Sequence, residues 1–182
     1  GRRAATRRDL RAHLDGFVGT TVLVTHDPLD VLMLADDVAI LDAGRITQSG
    51  PVTEVTSHPR SRYVADLIGT NLLRGTAEGR TVLIGDLVVE VADDLEGGDT
   101  FLTVPPHAIT LHRTRPEGSA RNVWSTSVAA IDRLGERSRV QLADPVPLVA
   151  EVTPASVAEL GLTVGSEVWA SAKATEITAY PA

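Results

Sequence analysis

The chain has 182 residues, 43% of them hydrophobic but only 3% aromatic, so one domain or two small ones must be packed with aliphatic side chains. Its formal charge of −7 at pH 7 argues against broad nucleic-acid binding, which requires a basic surface. The lack of cysteine excludes disulfides and thiolate metal sites and fits a reducing cytosol, and no apolar run reaches the length of a membrane span. We therefore expect a soluble chain without a metal site.

The chain opens with alternating helical and strand-like segments. We predict a helix over residues 4–14, whose many arginines we interpret as a solvated face, and a buried strand over residues 20–25, where β-branched residues follow one another without polar alternation. Asp27 and Pro28 have the chemistry of an N-cap and a first helical turn, so a second helix should follow. His26 thus ends a buried strand, which is where open α/β sheets bind ligands, although an isolated histidine there more often does no more than end the strand.

Short elements complete this first segment. We predict a strand over residues 38–41, a glycine turn at residues 42–44 and a returning strand, which together make a hairpin. A short helix follows and stops at Pro59, and a last helix is capped by Ser61 and ends at Gly69. Because a parallel sheet needs neighbouring strands that this segment does not supply, we also expect exposed apolar strand edges here.

Four stretches of this segment share a pattern with a known family. They are Val-Thr-His-Asp at residues 24–27, Leu-Ala-Asp-Asp-Val-Ala-Ile-Leu at 34–41, Gly-Arg-Ile-Thr-Gln-Ser-Gly at 44–50 and Ile-Gly-Thr-Asn-Leu-Leu at 68–73. The segment resembles the end of the nucleotide-binding domain of ABC-type importer ATPases. The resemblance implies that His26 is the catalytic switch residue, which contacts the terminal phosphate of ATP and orients the attacking water.

The sequence lacks the G-x-x-x-x-G-K-[S/T] loop that cradles nucleotide phosphates, and Lys173 is its only lysine. On the family resemblance, we expect this chain to begin after the catalytic core, as a fragment that cannot hydrolyse ATP by itself. ATP and Mg²⁺ would then be bound by the parent protein, which the resemblance implies to be an ATPase, and not by this fragment.

After residue 70, helical periodicity gives way to short β-branched runs separated by turn signals, which predicts a domain boundary there. We interpret residues 1–70 as the remnant of the nucleotide-binding domain and residues 71–182 as an OB-like β-barrel, so the fold class is mainly β, preceded by an α/β remnant. Turn signals at residues 77–79 and 96–99 are expected to separate strands. The strands are expected at residues 72–75, 81–84, 87–91, 101–104 and 109–112, and then at 123–132, 138–143, 148–152, 167–171 and 176–179.

A single helix is predicted within the second set of strands. It runs over residues 154–160, with Thr153 as its N-cap and Pro154 in its first turn. The stretches 106–111 and 173–178 end the two halves of this domain in a similar way, which hints at a duplicated barrel.

Three stretches of the last third share a second family pattern: Ser-Ala-Arg-Asn-Val at residues 119–123, Val-Thr-Pro-Ala-Ser at 152–156 and Val-Trp-Ala-Ser-Ala-Lys-Ala-Thr at 168–175. They resemble the molybdate-binding Mop module, which forms the regulatory TOBE domain of molybdate-importer ATPases. The resemblance implies an oxyanion site that is usually completed across two copies of the module. Its residues here would be Ser119, Arg121, Thr153, Ser156 and Lys173.

The chemistry of these residues suits a tetrahedral dianion, which needs fixed positive charge, hydroxyl donors and backbone N–H groups. Arginine and lysine bind oxyanions well, and the start of a helix adds N–H donors. Each residue also has an ordinary explanation, since Thr153 and Ser156 can be capping residues and Arg121 and Lys173 can be surface charges. Only their joint occurrence in one pattern favours an anion site.

We therefore interpret the chain as the C-terminal regulatory part of the ATP-binding subunit of an ABC importer, with molybdate or tungstate as the regulatory ligand. Its expected partners are a second copy of the subunit, the transmembrane permease subunits and a small oxyanion, with no role for nucleic acid. The parent complex would lie on the cytoplasmic face of the cell membrane. Two alternatives stay open: a stand-alone oxyanion-binding or storage module, and a structural dimerisation domain of an importer for sulfate, sugar or another solute.

Overall fold

The structure, a computed structural model, describes the backbone of residues 2–182 and the side chains from Ala5 onward. The chain divides into two compact units, residues 1–68 and residues 69–182. Each unit has a hydrophobic core of its own. No helix in the described part of the chain is long and apolar enough to cross a membrane.

The first unit contains four helices and one hairpin among its described residues. The predicted helices and hairpin are confirmed, and the hairpin turns through Ala43 and Gly44, whose positive φ angles of 46° and 76° suit a tight two-residue turn. Ile40, Val55 and Val64 form the buried centre. The elements are α1 (Arg2–Asp15), α2 (Pro28–Leu34), β1 (Asp37–Asp42), β2 (Arg45–Pro51), α3 (Val52–Ser57) and α4 (Arg62–Ile68).

The buried strand predicted at residues 20–25 is absent, and this prediction is wrong. Residues 18–27 have no helical or strand structure, and Val18, Val22 and Val24 are 101%, 84% and 93% exposed. A strand exists only through hydrogen bonds to a neighbouring strand, and the described part of this unit offers only the antiparallel pair β1–β2. The β-branched run therefore has the residue types of a strand but no partner strand, and its apolar side chains are exposed.

The second unit is built from two antiparallel sheets around one aliphatic core, and the mainly β fold class is confirmed. One sheet has the strand order β10-β4-β3 and the other the order β5-β9-β6-β7-β8. The elements are β3 (Asn71–Ile84), β4 (Leu87–Val104), β5 (Thr110–His112), β6 (Asn122–Leu134), β7 (Arg137–Leu142), β8 (Leu148–Val152), α5 (Pro154–Glu159), β9 (Glu167–Ala172) and β10 (Thr178–Pro181), with short 3₁₀ turns at Pro106–Ala108 and Ala174–Glu176.

Two long strands replace four of the short ones predicted at the start of this unit. The turn signals at residues 77–79 and 96–99 are irregularities within β3 and β4, where the pairing register shifts, and not chain reversals. Gly79, Gly97 and Gly98 have φ angles of 58°, 92° and 96°, so their glycine chemistry produces bulges in a continuous ladder. The same residue types mark turns and bulges, and the sequence alone did not distinguish the two.

The two halves of this unit, residues 69–121 and residues 122–182, exchange their last strands. In the first half the 3₁₀ turn Pro106–Ala108 leads into β5, and in the second half the turn Ala174–Glu176 leads into β10. β5 pairs with β9 of the second half, whereas β10 pairs with β4 of the first half. The similar stretches 106–111 and 173–178 thus occupy equivalent places in the two halves.

Two buried asparagine side chains join the two sheets. The amide of Asn71, at the start of β3, accepts a hydrogen bond from the N–H of Val149 (2.6 Å) and donates one to the carbonyl of the same residue (2.9 Å), so it pairs with β8 as a strand backbone would. The amide of Asn122, at the start of β6, makes the same two bonds with Glu90 of β4, at 2.7 and 2.9 Å. We call these the Asn71 clamp and the Asn122 clamp.

The curl of β3 depends on the absence of a side chain at Gly75. A methyl group there would overlap the carbonyl oxygen of Leu83 and would lie 2.8 Å from side-chain carbons of Val82 and Ile84. The two ends of this strand therefore approach each other more closely than any residue with a Cβ atom permits.

We expect Gly75→Ala to destabilise the second unit. A glycine-to-alanine change raises the free energy of unfolding by about 0.4–1 kcal/mol where the site tolerates a methyl group. Forcing extra atoms into a packed site lowers it by about 1–3 kcal/mol, so we expect a net loss of stability here. Urea unfolding followed by tryptophan fluorescence measures this unit alone, because both tryptophans lie in it. Thr76→Ala, at the next and exposed position, is the control and should change the unfolding free energy by less than about 0.5 kcal/mol. Equal stabilities of the two variants would contradict the close approach.

Candidate functional site

His26 lies in the irregular segment before α2, with anchored residues on either side. The N–H of Asp27 donates to the hydroxyl of Thr25 (3.1 Å), and that hydroxyl donates to Asp30 (2.9 Å). Asp27 caps α2 by accepting from the N–H of Leu29 (2.9 Å), as predicted from the sequence. His26 itself is exposed and has no hydrogen-bond partner among the described residues. Its backbone is fixed while its imidazole is available to a ligand.

Arg7 holds this segment in place through ion pairs with both Asp27 and Asp30. Its side chain is only 13% exposed, so the interpretation of the arginine-rich helix as a wholly solvated face is wrong at this position. The hydrogen bond to Asp30 raises the pKa of Arg7 above its ordinary value, and the charge of Asp27 adds to the effect against the opposing influence of desolvation. One guanidinium thus connects α1 to the cap and the first turn of α2.

Arg121 and Lys173 lie at the same end of one strand ladder in the second unit. Asn122 of β6 pairs with Ala172 of β9, so the next residues outward, Arg121 and Lys173, face each other across the end of the ladder. Both side chains are exposed, and neither has a hydrogen bond or ion pair within the described residues. Ser119 is also exposed and precedes Arg121 by two residues in the same loop. The structure therefore places Arg121 and Lys173 at neighbouring backbone positions, and neither has an ion pair among the described residues.

Thr153 and Ser156 begin α5, as the sequence predicts. The hydroxyl of Thr153 accepts from the N–H of Ser156 (3.1 Å), and the two hydroxyl groups are 2.9 Å apart. Both residues line an open cavity of about 540 Å³. His107, from the 3₁₀ turn of the first half, lines the same cavity.

The cavity at α5 is distinct from the cationic ladder end. Its lining includes neither Ser119, Arg121 nor Lys173. The arginine that lines this cavity, Arg137, is already paired with Glu151 at 2.9 Å. The carboxylate of Glu159, which also lines the cavity, adds negative charge. The five residues predicted for an oxyanion site thus form two groups within one chain, one cationic and one rich in hydroxyl groups.

The two clamp asparagines and the position of His107 in the α5 cavity were not predicted from the sequence. Asn71 and Asn122 are 7% and 3% exposed, and each begins a strand after a polar loop. Both strands contain several polar residues, so no local signal singled out these two asparagines. His107 and the start of α5 are far apart in the sequence, so their common cavity is a tertiary contact that no local pattern predicts.

A protein-family model described as the TOBE domain matches residues 118–179. This match includes β6 to β9, α5 and both groups of predicted anion-binding residues.

Curated relatives match nearly the whole chain. It is 38% identical to the molybdenum import ATP-binding protein ModC of Mycobacterium tuberculosis, over 98% of this chain and 51% of that protein. It is 35% identical to the molybdate/tungstate import ATP-binding protein WtpC of Pyrococcus horikoshii, over 96% of this chain and 51% of that protein. A sulfate/thiosulfate import ATP-binding protein, CysA of Methylococcus capsulatus, is 39% identical over 76% of this chain and 40% of that protein. The chain thus spans about half the length of the first two relatives.

One solved structure has a fold similar to part of this chain. The cytoplasmic molybdate-binding protein ModG, crystallised with molybdate bound, aligns with a TM-score of 0.55 and 23% identity, over 62% of this chain and 96% of its own. At this identity the likeness concerns the fold alone.

We expect Arg7→Ala to loosen the segment that carries His26, because Asp27 and Asp30 would lose their shared cation and repel each other. Hydrogen exchange at the backbone amides of Asp27, Leu29 and Asp30 should become faster. Arg11→Ala is the matched control, since Arg11 lies on the same helix but is 41% exposed and its ion pairs with Asp15 and Asp36 lie at the surface. Equal exchange rates in the two variants would show that Arg7 does not hold this segment.

Proposed function

We propose that the chain is part of an ABC-importer ATP-binding subunit with a TOBE domain, and that this part senses a small oxyanion, with molybdate or tungstate as its ligand. The names of the first two relatives refer to molybdenum import and to molybdate/tungstate import. The proposal for this chain also rests on its own charges.

The cationic end of the β6–β9 ladder is the observation that carries the proposal. Arg121 and Lys173 are held next to each other by the pairing of Asn122 with Ala172. Two like charges at neighbouring positions repel each other unless an anion lies between them, and no described carboxylate pairs with either. A planar guanidinium and a compact ammonium together suit a small tetrahedral dianion.

The hydroxyl groups at the start of α5 would complete the site from a second copy of the chain. A tetrahedral dianion accepts hydrogen bonds from all sides, whereas Arg121 and Lys173 supply donors from one side only. Thr153 and Ser156 lie in a different part of the same chain, so one molecule does not combine the two groups. We therefore propose a homodimer in which each ligand is bound by residues of both copies, with Ser119 adding a hydroxyl group to the cationic side.

In the assembled importer the first unit would contribute His26 to ATP hydrolysis. An exposed imidazole on an anchored backbone can accept a hydrogen bond from the attacking water or donate one to the terminal phosphate, which is the contribution that phosphoryl transfer needs from such a residue. This chain has no phosphate-cradling loop in its 182 residues, so ATP and Mg²⁺ would be held by other residues of the subunit.

Oxyanion binding would regulate transport if the anion favours one state of the transporter over another. The coupling then equals the difference in anion affinity between the two states, and it acts equally in both directions. The complex would lie on the cytoplasmic face of the membrane, with permease subunits as partners, and abundant ligand would restrain further uptake.

A second candidate is an importer subunit for sulfate whose β-domain is structural. The identity of 39% to a sulfate/thiosulfate import protein supports it, because that relative is as similar as the molybdenum protein over the part it matches. The two candidates differ in whether this chain binds an anion and in which anion it prefers.

Calorimetric titration of the chain with molybdate, tungstate and sulfate tests the proposal. We expect Arg121→Ala and Lys173→Ala each to weaken molybdate binding at least about tenfold, because each removes a charge-assisted hydrogen bond worth on the order of 1.5–3 kcal/mol. Arg133→Ala is the matched control, since it removes the same charge from an exposed position at the opposite end of β6.

No binding of any of the three anions at millimolar concentration would contradict the sensing function and favour the structural candidate. Tighter binding of sulfate than of molybdate would assign the subunit to sulfate import. An equal loss of affinity in Arg133→Ala would show that net charge, and not the ladder end, attracts the anion.

We expect His26→Ala to lower the ATPase rate of the assembled importer on the order of 100-fold or more, the contribution typical of a residue that positions a proton transfer. His58→Ala is the control, because His58 is also exposed and lies outside the segment before α2, with its ring 3.2 Å from the hydroxyl of the neighbouring Ser57. An unchanged rate in His26→Ala would remove this residue from the catalytic machinery.

A further inference from the structure

The two halves of the second unit end their first ladders in the same way but with different chemistry. In the first half Asn71 pairs with Val104, and the next residues outward are Thr70 and Pro105. In the second half Asn122 pairs with Ala172, and the next residues outward are Arg121 and Lys173. The same backbone arrangement therefore carries two cations at one place and an uncharged pair at the other. We call these the cationic end and the neutral end.

Each end is fixed by its own clamp. The Asn122 amide bonds to both backbone groups of Glu90, and the Asn71 amide bonds to both backbone groups of Val149. Both amides are buried, so leaving either backbone partner without its bond would be costly. Each clamp thus ties the outermost residue of its ladder to the opposite sheet.

The cationic end lies where a loop meets the end of β9. The start of that loop is attached by Arg113, which donates to the carbonyls of Glu159 and Leu160, and by Arg115, which lies 5.6 Å from the ring of Trp169. Arg121 is the last residue of an irregular loop over residues 113–121, and Lys173 follows the last residue of β9. Their side chains make no hydrogen bond or ion pair within the described residues. The separation of the two cations therefore depends on where the ladder ends, and the Asn122 clamp fixes that point.

We propose that Asn122 is a positioning residue of the oxyanion site, which sets the spacing of Arg121 and Lys173 through its clamp on Glu90 without touching the ligand. Asn71 makes the equivalent clamp at the neutral end and has no part in anion binding. The link to the ligand rests on the proposed function. The positioning of the ladder end by the Asn122 clamp does not depend on it.

The Asn71 clamp supplies the control, because Asn71→Ala also removes a buried clamp amide. It removes one hydrogen bond more than Asn122→Ala does, since the Asn71 amide also donates to the carbonyl of Val104 (2.9 Å). Hydrogen exchange of the full chain without ligand is measured first. We expect Asn122→Ala to speed exchange at residues 119–124 and 170–175 more than at residues 69–73 and 103–107, and Asn71→Ala to show the reverse. Equal or uniformly raised exchange in both variants would overturn the positioning role. If either alanine variant does not fold, Asn122→Ser and Asn71→Ser replace it, since serine keeps a polar group in the buried site.

Molybdate affinity is then measured by calorimetry on the same proteins. We expect Asn122→Ala to weaken binding on the order of tenfold, as the loss of one buried hydrogen bond would, and Asn71→Ala to leave it within about twofold. A similar loss in both variants would overturn the proposal, since it would reflect stability and not position. If the unchanged chain binds no anion while the exchange pattern is local as expected, the proposed function fails and the positioning of the ladder end by Asn122 stands.

Discussion

Two side-chain amides link the sheets of the second unit by imitating the backbone of a strand. Each brackets the N–H and the carbonyl of a single residue on the opposite sheet, Val149 for Asn71 and Glu90 for Asn122. A buried amide of this kind is stable only when both of its groups are satisfied, so the two sheets have one relative register. The exchange of β5 and β10 and the shared hydrophobic core link the two halves as well.

The two ladder ends of the second unit have similar backbone pairing but different charge. The neutral end carries no charged side chain, whereas the cationic end carries an arginine and a lysine. The hydroxyl groups at the start of α5 lie in another cavity, where Arg137 is neutralised by Glu151. A ligand that needs both the two cations and the hydroxyl groups of α5 would therefore bind between two copies of the chain. Such binding would couple ligand affinity to the association of subunits.

Local chemistry made much of this structure predictable, and non-local contacts made the rest unpredictable. The caps at Asp27 and Thr153 depend on neighbouring residues, and the sequence predicts them correctly. The prediction of a strand at residues 20–25 is wrong because a strand requires a partner strand, which the described residues do not supply. Of the candidate site, the residue types were available from the sequence. Their division between two places depends on the tertiary arrangement of β6, β9 and α5, which no local pattern encodes.

The account is tested most directly by crystals of the chain grown with tungstate, whose position an anomalous difference map gives without ambiguity. We predict a peak between the guanidinium of Arg121 and the ammonium of Lys173, with hydroxyl groups of a second copy approaching from the other side. A tungstate ion bound only at the neutral end, only in the α5 cavity of a single chain, or nowhere on the second unit would contradict it.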